Sequence, residues 1–187
     1  MDGGNLVGNG KGKIIITERF LYDNPLLTKT TARRILKRLL GATHVAIVKE
    51  SPGDVTGHAD GMVMWATDNK ILLHEQEPSV HNKIVNELKR SFPGVQIVVL
   101  EDHFVYEEWE GFGRACNIFV NSLVTNNFIY VPTFNMGVDT KMLSMIQSHT
   151  DKTVVEIPAE NVCFMGGSVR CLTWNVDGKM ADWLLSE

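Results

Sequence analysis

Apolar and β-branched positions fall into short runs separated by amphipathic stretches. Residues 14–17, Ile-Ile-Ile-Thr, have the composition of a strand. Residues 30–40 read as a helix, with Ala32, Ile35, Leu36, Leu39 and Leu40 on one face and Arg33, Arg34, Lys37 and Arg38 predicted outside. Gly41 marks the helix stop, and residues 43–48 read as the next strand. Residues 62–66 and 70–73 read as two strands joined by a turn at Asp68-Asn69, followed by a helix over 78–90 and a strand over 95–100. The third stretch gives strands over 118–124 and 128–131, a helix over 138–147 and a strand over 153–157.

The second and third stretches thus share one order, strand, strand, helix, strand, at a period of roughly 57 residues. The first shows one clear strand before its helix. Repeats of that length indicate a propeller, solenoid or array; an ordinary α/β domain with three similar units is the plainer alternative. The connection over 101–114 breaks the pattern. It carries Phe104, Tyr106, Trp109 and Phe112 among five carboxylates and ends in Gly111-Phe112-Gly113. A long connection of this kind is either a lid over a site or a surface loop pinned by its aromatics.

Composition narrows the picture. A chain of 187 residues, 44% hydrophobic and 21% charged, suits one globular domain with a real core. The net charge of −4 speaks against nucleic acid or an anionic membrane as partner. No apolar run approaches the roughly 20 residues of a membrane span, and the N-terminal residues lack a basic start followed by an apolar stretch. Three cysteines, Cys116, Cys163 and Cys171, form no CxxC pair, which argues against a structural zinc site and makes a reducing, cytoplasmic setting the default expectation. No cofactor or metal is indicated.

Two motifs carry candidate chemistry. In Gly57-His58-Ala59-Asp60-Gly61, a strand would place His58 and Asp60 on one face, since side chains alternate with period two; a surface turn with an incidental histidine is the alternative. In Gly166-Gly167-Ser168-Val169-Arg170-Cys171-Leu172-Thr173, two glycines lead into a short β-type run, with Cys171 and Thr173 on one face and Arg170 on the other. A buried structural thiol is the commoner fate of a cysteine. Cys116 and Cys163 follow no Gly-Gly turn, lie beside apolar runs, and are expected to be non-catalytic. Asp2-Gly3-Gly4-Asn5 opens the chain and means little alone.

Taken together and in order, Asp2-Gly3-Gly4-Asn5, Gly57-His58-Ala59-Asp60 and Gly166-Gly167 through Cys171-Leu172-Thr173 resemble the agmatine deiminase and bacterial-type peptidylarginine deiminase family of guanidine-modifying penteins. Secondary matches are Thr17-Glu18-Arg19, Asn24-Pro25, Val120-Asn121-Ser122, and Val131-Pro132 followed by Phe134 and Asp139. The resemblance implies an α/β propeller of five ββαβ modules, about three of them present, in a single domain over residues 1–187 that lacks an N-terminal part. It differs at Arg170, where many members have His and arginine deiminases do not. It also begins at the acidic-Gly-Gly run, without the Arg-Asp motif that supplies a second guanidinium-binding carboxylate in longer members.

By the same resemblance, Cys171 is the nucleophile, His58 the general acid and base, and Asp2, one methylene shorter than the family's Glu, orients His58. Asp60, Gly166 and Gly167 bind substrate. A guanidinium is a planar cation suited to carboxylates that accept paired N–H bonds. Its delocalised charge makes the central carbon a poor electrophile, which calls for a thiolate. The expected reaction is hydrolysis of a C–N bond of agmatine, arginine or peptidylarginine through a covalent thiouronium, in polyamine chemistry leading to putrescine. A catalytically inactive pentein or binding module is one alternative, and an amidinotransferase another. Three modules of a ring expose their flanks, so self-association or a missing N-terminal segment is expected.

Overall fold

The computed structural model describes residues 2–101, 103, 107–175, 182, 183 and 186. Three ββαβ modules follow one another. The first holds β1 (Val7–Gly8), β2 (Lys13–Thr17), α1 (Arg19–Tyr22), α2 (Lys29–Leu40) and β3 (His44–Val48). The second holds β4 (Val63–Thr67), β5 (Lys70–His74), α3 (Pro78–Ser91) and β6 (Gln96–Leu100). A hairpin of β7 (Glu108–Trp109) and β8 (Phe112–Gly113) precedes the third, which holds β9 (Leu123–Val124), β10 (Phe128–Thr133), α4 (Asp139–Ser148) and β11 (Thr153–Pro158).

In every module the middle strand pairs antiparallel with the first and parallel with the last. A parallel pair needs a crossover, and the module's helix supplies it. β1 lies beside β4 and β4 beside β9, so the first strands of successive modules gather around a common axis. The first module therefore does have its leading strand; two residues are too few to show in the apolar pattern.

Most middle-strand residues are buried on both faces, as in parallel sheets covered from two sides. Ile71 and Leu73 join Ile15, Ala46, Trp65, Ile84, Leu88 and Phe92 in one core. Their neighbour Leu72 points the other way, into a core with Met64, Leu100, Phe119, Val131, Phe134, Met142 and Ile146. The two cores cement the first module to the second and the second to the third. Polar contacts cross the same boundaries. Arg33 on α2 reaches Glu87 on α3 at 2.6 Å, and Thr150 donates to the Ala66 carbonyl at 2.6 Å.

Helix α2 is capped as its sequence dictates: the Thr28 side chain accepts from the Thr31 N–H, and Gly41 adopts φ 63°. Its apolar stripe ends early. Ala32 and Leu36 are buried, whereas Leu39 and Leu40 are exposed, and Arg33, predicted outside, is partly buried in the interface with α3. The predicted strand over 118–124 shrinks to Leu123–Val124 because Asn117 takes φ 67° and tight turns follow, with Asn121 N–H to the Ile118 carbonyl and Ser122 N–H to that of Val120. In the connection over 101–114, residues 108–109 and 112–113 pair as a hairpin, while Phe104 and Tyr106 lie outside the described residues.

Candidate active site

The end of β2 organises the first part of the site. Asn5 is buried and its Oδ1 accepts the Thr17 N–H at 2.8 Å, which pins the Gly3–Asn5 turn to the strand. The Thr17 hydroxyl donates to the Gly57 carbonyl at 2.5 Å, which pins the second motif to the same point.

The second motif is a loop, not the opening of a strand. The Asp54 carboxylate accepts from the Thr56 N–H at 2.8 Å, the Thr56 hydroxyl at 2.6 Å and the His58 N–H at 3.2 Å, and Gly57 takes φ 62°. Local side-chain bonds of this kind outcompete extended structure. His58 and Asp60 still converge, by a different route: both pack on Gly4. A Cβ on Gly4 would lie 2.5 Å from His58 Nδ1 and 2.8 Å from Asp60 Oδ2, and the Asp60 N–H donates to the Gly4 carbonyl at 3.0 Å. Gly4 of the first motif thus has a steric reason. The Asp2 carboxylate lies 3.3 Å from His58 Nε2.

The third motif is a 3-10 turn over Arg170–Leu172, where a β-type run was predicted. The Arg170 N–H is drawn to Asn121, to Oδ1 at 3.1 Å and to the main-chain carbonyl at 3.2 Å, and the Thr173 hydroxyl closes on the Arg170 carbonyl at 2.9 Å. The alternation of Cys171 and Thr173 on one face is therefore lost. Gly166, at φ 79°, ends the preceding turn, and a Cβ on it would lie 3.0 Å from the Gly113 carbonyl oxygen. A Cβ on Gly167 would lie 3.2 Å from the Cys171 Cβ, so a glycine makes room for the cysteine. The two glycines, expected to bind substrate, thus have backbone reasons of their own.

The turn over Arg170–Leu172 rests against the turn over Gly3–Asn5, which joins the third module to the first. Cys171 Sγ lies 3.8 Å from Asp60 Oδ2 and 3.3 Å from Asn121 Nδ2. Asp2, His58, Asp60 and Cys171 are thereby gathered in one place. Asn121 falls within the Val120-Asn121-Ser122 match, but its position beside the sulfur has no local signature in the sequence.

Asp60 is almost fully buried, and burial pushes its carboxyl up to about 6, against the opposing fields of His58 and Arg170. Burial also pushes the Cys171 thiol up, and Asp60 adds to this, while the Ser168 backbone and Asn121 pull it down. Both groups are therefore harder to ionise here than in water. A cation placed between Asp60 and Cys171 would favour ionisation of both.

Cys116 and Cys163 are joined in a disulfide, a pairing unforeseen in the sequence and set against the expected reducing environment. It ties the approach to Asn121 to the approach to Gly166-Gly167, beside the bond from the Ala115 N–H to the Cys163 carbonyl at 2.8 Å. Among the described residues, Cys171 is the free thiol, no group of metal-binding side chains occurs, and no helix is long and apolar enough to cross a membrane.

A family profile described as Porphyromonas-type peptidyl-arginine deiminase matches residues 1–176. Agmatine deiminase of Ectopseudomonas mendocina is 23% identical over 205 residues, covering 92% of this chain and 56% of the relative. A solved agmatine deiminase of C. jejuni, in a cysteine-to-serine form with substrate bound, is 18% identical with a TM-score of 0.73, over 91% of this chain and 54% of that one. SxtG, an amidinotransferase of Microseira wollei from the saxitoxin biosynthetic pathway, is 16% identical with a TM-score of 0.62, over 96% and 46%. The chain spans about half the length of the curated relatives it matches. The α/β architecture is that of the penteins, with three ββαβ modules among the described residues.

Proposed function

The chain belongs to the Porphyromonas-type peptidyl-arginine deiminase family, and from that premise we propose that it carries the nucleophile and one guanidinium-binding carboxylate of a C–N hydrolase acting on agmatine or an arginine-like substrate. The observation that supports this best is the convergence of Cys171, Asp60, His58 and Asp2 from three separate turns onto one locus.

In this reading the Asp60 carboxylate accepts the N–H groups of the substrate guanidinium. The same positive charge favours the Cys171 thiolate, which burial alone disfavours. The sulfur attacks the central carbon and gives a tetrahedral adduct. His58, oriented by Asp2, protonates the departing nitrogen, which leaves as ammonia, and a thiouronium remains on Cys171. Water, deprotonated by His58, then attacks the same carbon and expels the Cys171 sulfur, releasing a ureido product. Gly167 makes room for Cys171, and both glycines leave space for the substrate's planar end. The setting proposed is cytoplasmic, where Cys116 and Cys163 would be held as thiols.

A closed pentein ring needs more modules than the three described, and we assign these, with a second guanidinium-binding carboxylate, to further polypeptide or to a second copy. Ammonia release from agmatine, arginine and a peptidylarginine tests the function. The expected result is release that disappears in Cys171→Ala. Substrate turnover unaffected by that substitution, or no turnover of any guanidinium when the ring is complete, would overturn the reading. Release of an amidino group to an added amine in place of ammonia would identify a transferase.

A further inference from the structure

The Cys116–Cys163 pair takes no part in the chemistry above, yet it sits where two supports of the Cys171 turn begin. We propose that this pair is a reversible redox site. Exchange with a small dithiol or disulfide opens or closes it, and so loosens or tightens the turn that carries Cys171.

Each end of the bridge leads along the chain to one side of that turn. Cys116 precedes Asn117, whose φ of 67° starts the tight turns that reach Asn121, and Asn121 accepts the Arg170 N–H. Cys163 opens the 3-10 turn that ends at Gly166, and the next residue, Gly167, packs on Cys171: a Cβ there would lie 3.2 Å from the Cys171 Cβ. The bridge joins positions 47 residues apart, so opening it releases a tie that neither segment makes locally. Non-covalent ties persist: the Ala115 N–H donates to the Cys163 carbonyl at 2.8 Å, and the Arg114 guanidinium lies 4.2 Å from the centre of the Phe164 ring. The open form is therefore loosened at this point and still folded.

The surroundings suit both states. The two α-carbons lie 4.8 Å apart, within the ordinary range for a disulfide, so the pair closes without main-chain movement. The reduced Cys163 thiol has an acceptor in place, the Glu160 carbonyl 3.5 Å from its sulfur. Exposure sets the order of steps. Cys163 is 1% exposed and Cys116 is half-buried, so an incoming thiolate attacks the Cys116 sulfur. The Cys163 sulfur leaves as a thiolate and takes up a proton. The second thiol of the reagent then displaces Cys116 from the mixed disulfide; the dithiol has given up two electrons and two protons and ends as a disulfide. Oxidised glutathione drives the reverse reaction and ends as two molecules of the thiol. In the reducing setting proposed above the pair rests open, and it closes when the thiol–disulfide balance shifts.

The test treats the full chain with dithiothreitol and then with oxidised glutathione. Maleimide labelling with peptide mapping counts the free thiols, and hydrogen exchange follows residues 113–122 and 163–172. The expected result is that dithiothreitol frees Cys116 and Cys163, and that exchange in both segments becomes about tenfold faster while α3 is unchanged. Oxidised glutathione should restore the bond and the slow exchange. Cys116→Ala should exchange like the reduced parent under both conditions. Equal exchange in the bridged and reduced forms of the parent, or a pair that does not re-form, would overturn the proposal. Neither readout depends on turnover, so absence of ammonia release would count against the proposed function alone.

Discussion

Asp60→Asn should stabilise the fold while destroying guanidinium recognition. Asp60 is 3% exposed, and the side chain that donates to its carboxylate is the neutral Cys171 thiol, Sγ to Oδ2 at 3.8 Å. Burial carries its carboxyl from 3.8 up to about 6, a displacement worth about 3 kcal/mol when the group is ionised. The sign follows from proton linkage. Between these two values the folded chain still holds a proton that the unfolded chain has released, so stability falls as pH rises through the window and stays low above it. Asparagine has the same shape and no charge to desolvate. Urea unfolding at pH 8 should therefore find Asp60→Asn more stable by up to about 3 kcal/mol, and the gap should close towards pH 4. A variant less stable than the parent at pH 8, or a gap independent of pH, would refute the placement of Asp60 in a desolvated, unpaired position.

Other outcomes follow from the same geometry. Gly4→Ala puts a methyl 2.5 Å from His58 Nδ1 and 2.8 Å from Asp60 Oδ2, so both side chains must shift and ammonia release should fall about a hundredfold or more; retained turnover would count against the packing described. Cys116→Ser with Cys163→Ser opens a loop spanning 47 residues and should cost about 2–4 kcal/mol in urea unfolding; no loss would mean that the two turns are held without it. In Cys171→Ser, calorimetric binding of agmatine should strengthen from pH 5 to 7 with a midpoint of about 6, the value for Asp60, and a flat profile would remove Asp60 from the binding site.

The modules were legible because each middle strand is a run of apolar residues and each long helix carries an apolar stripe, with side-chain capping at α2. Residues 14–17, 70–73 and 128–131 lie in β2, β5 and β10, which are buried at almost every position. The leading strands β1 and β9 have two residues each and leave no periodic trace. The site was legible as residue types in order, but not as local structure. The Asp54 carboxylate turns the chain before His58, and Asn121 turns it at Arg170, where alternation predicted strands. Both devices depend on side-chain bonds that composition does not reveal, and the second spans 49 residues. The Cys116–Cys163 pairing has the same origin, since its partners meet only when β9, β10, α4 and β11 have folded between them.

The central claim is that Cys171 and Asp60 together form a guanidinium-directed nucleophilic site. Its most direct test compares alkylation of Cys171 by 2-chloroacetamidine, which carries a planar cation, with alkylation by 2-chloroacetamide, which does not, in the parent chain and in Asp60→Asn. Intact mass and peptide mapping locate the adduct. The account predicts one adduct, on Cys171, formed faster with the amidine, and a preference that vanishes in Asp60→Asn. Equal rates with the two reagents in the parent chain, or an amidine preference that survives Asp60→Asn, would contradict it.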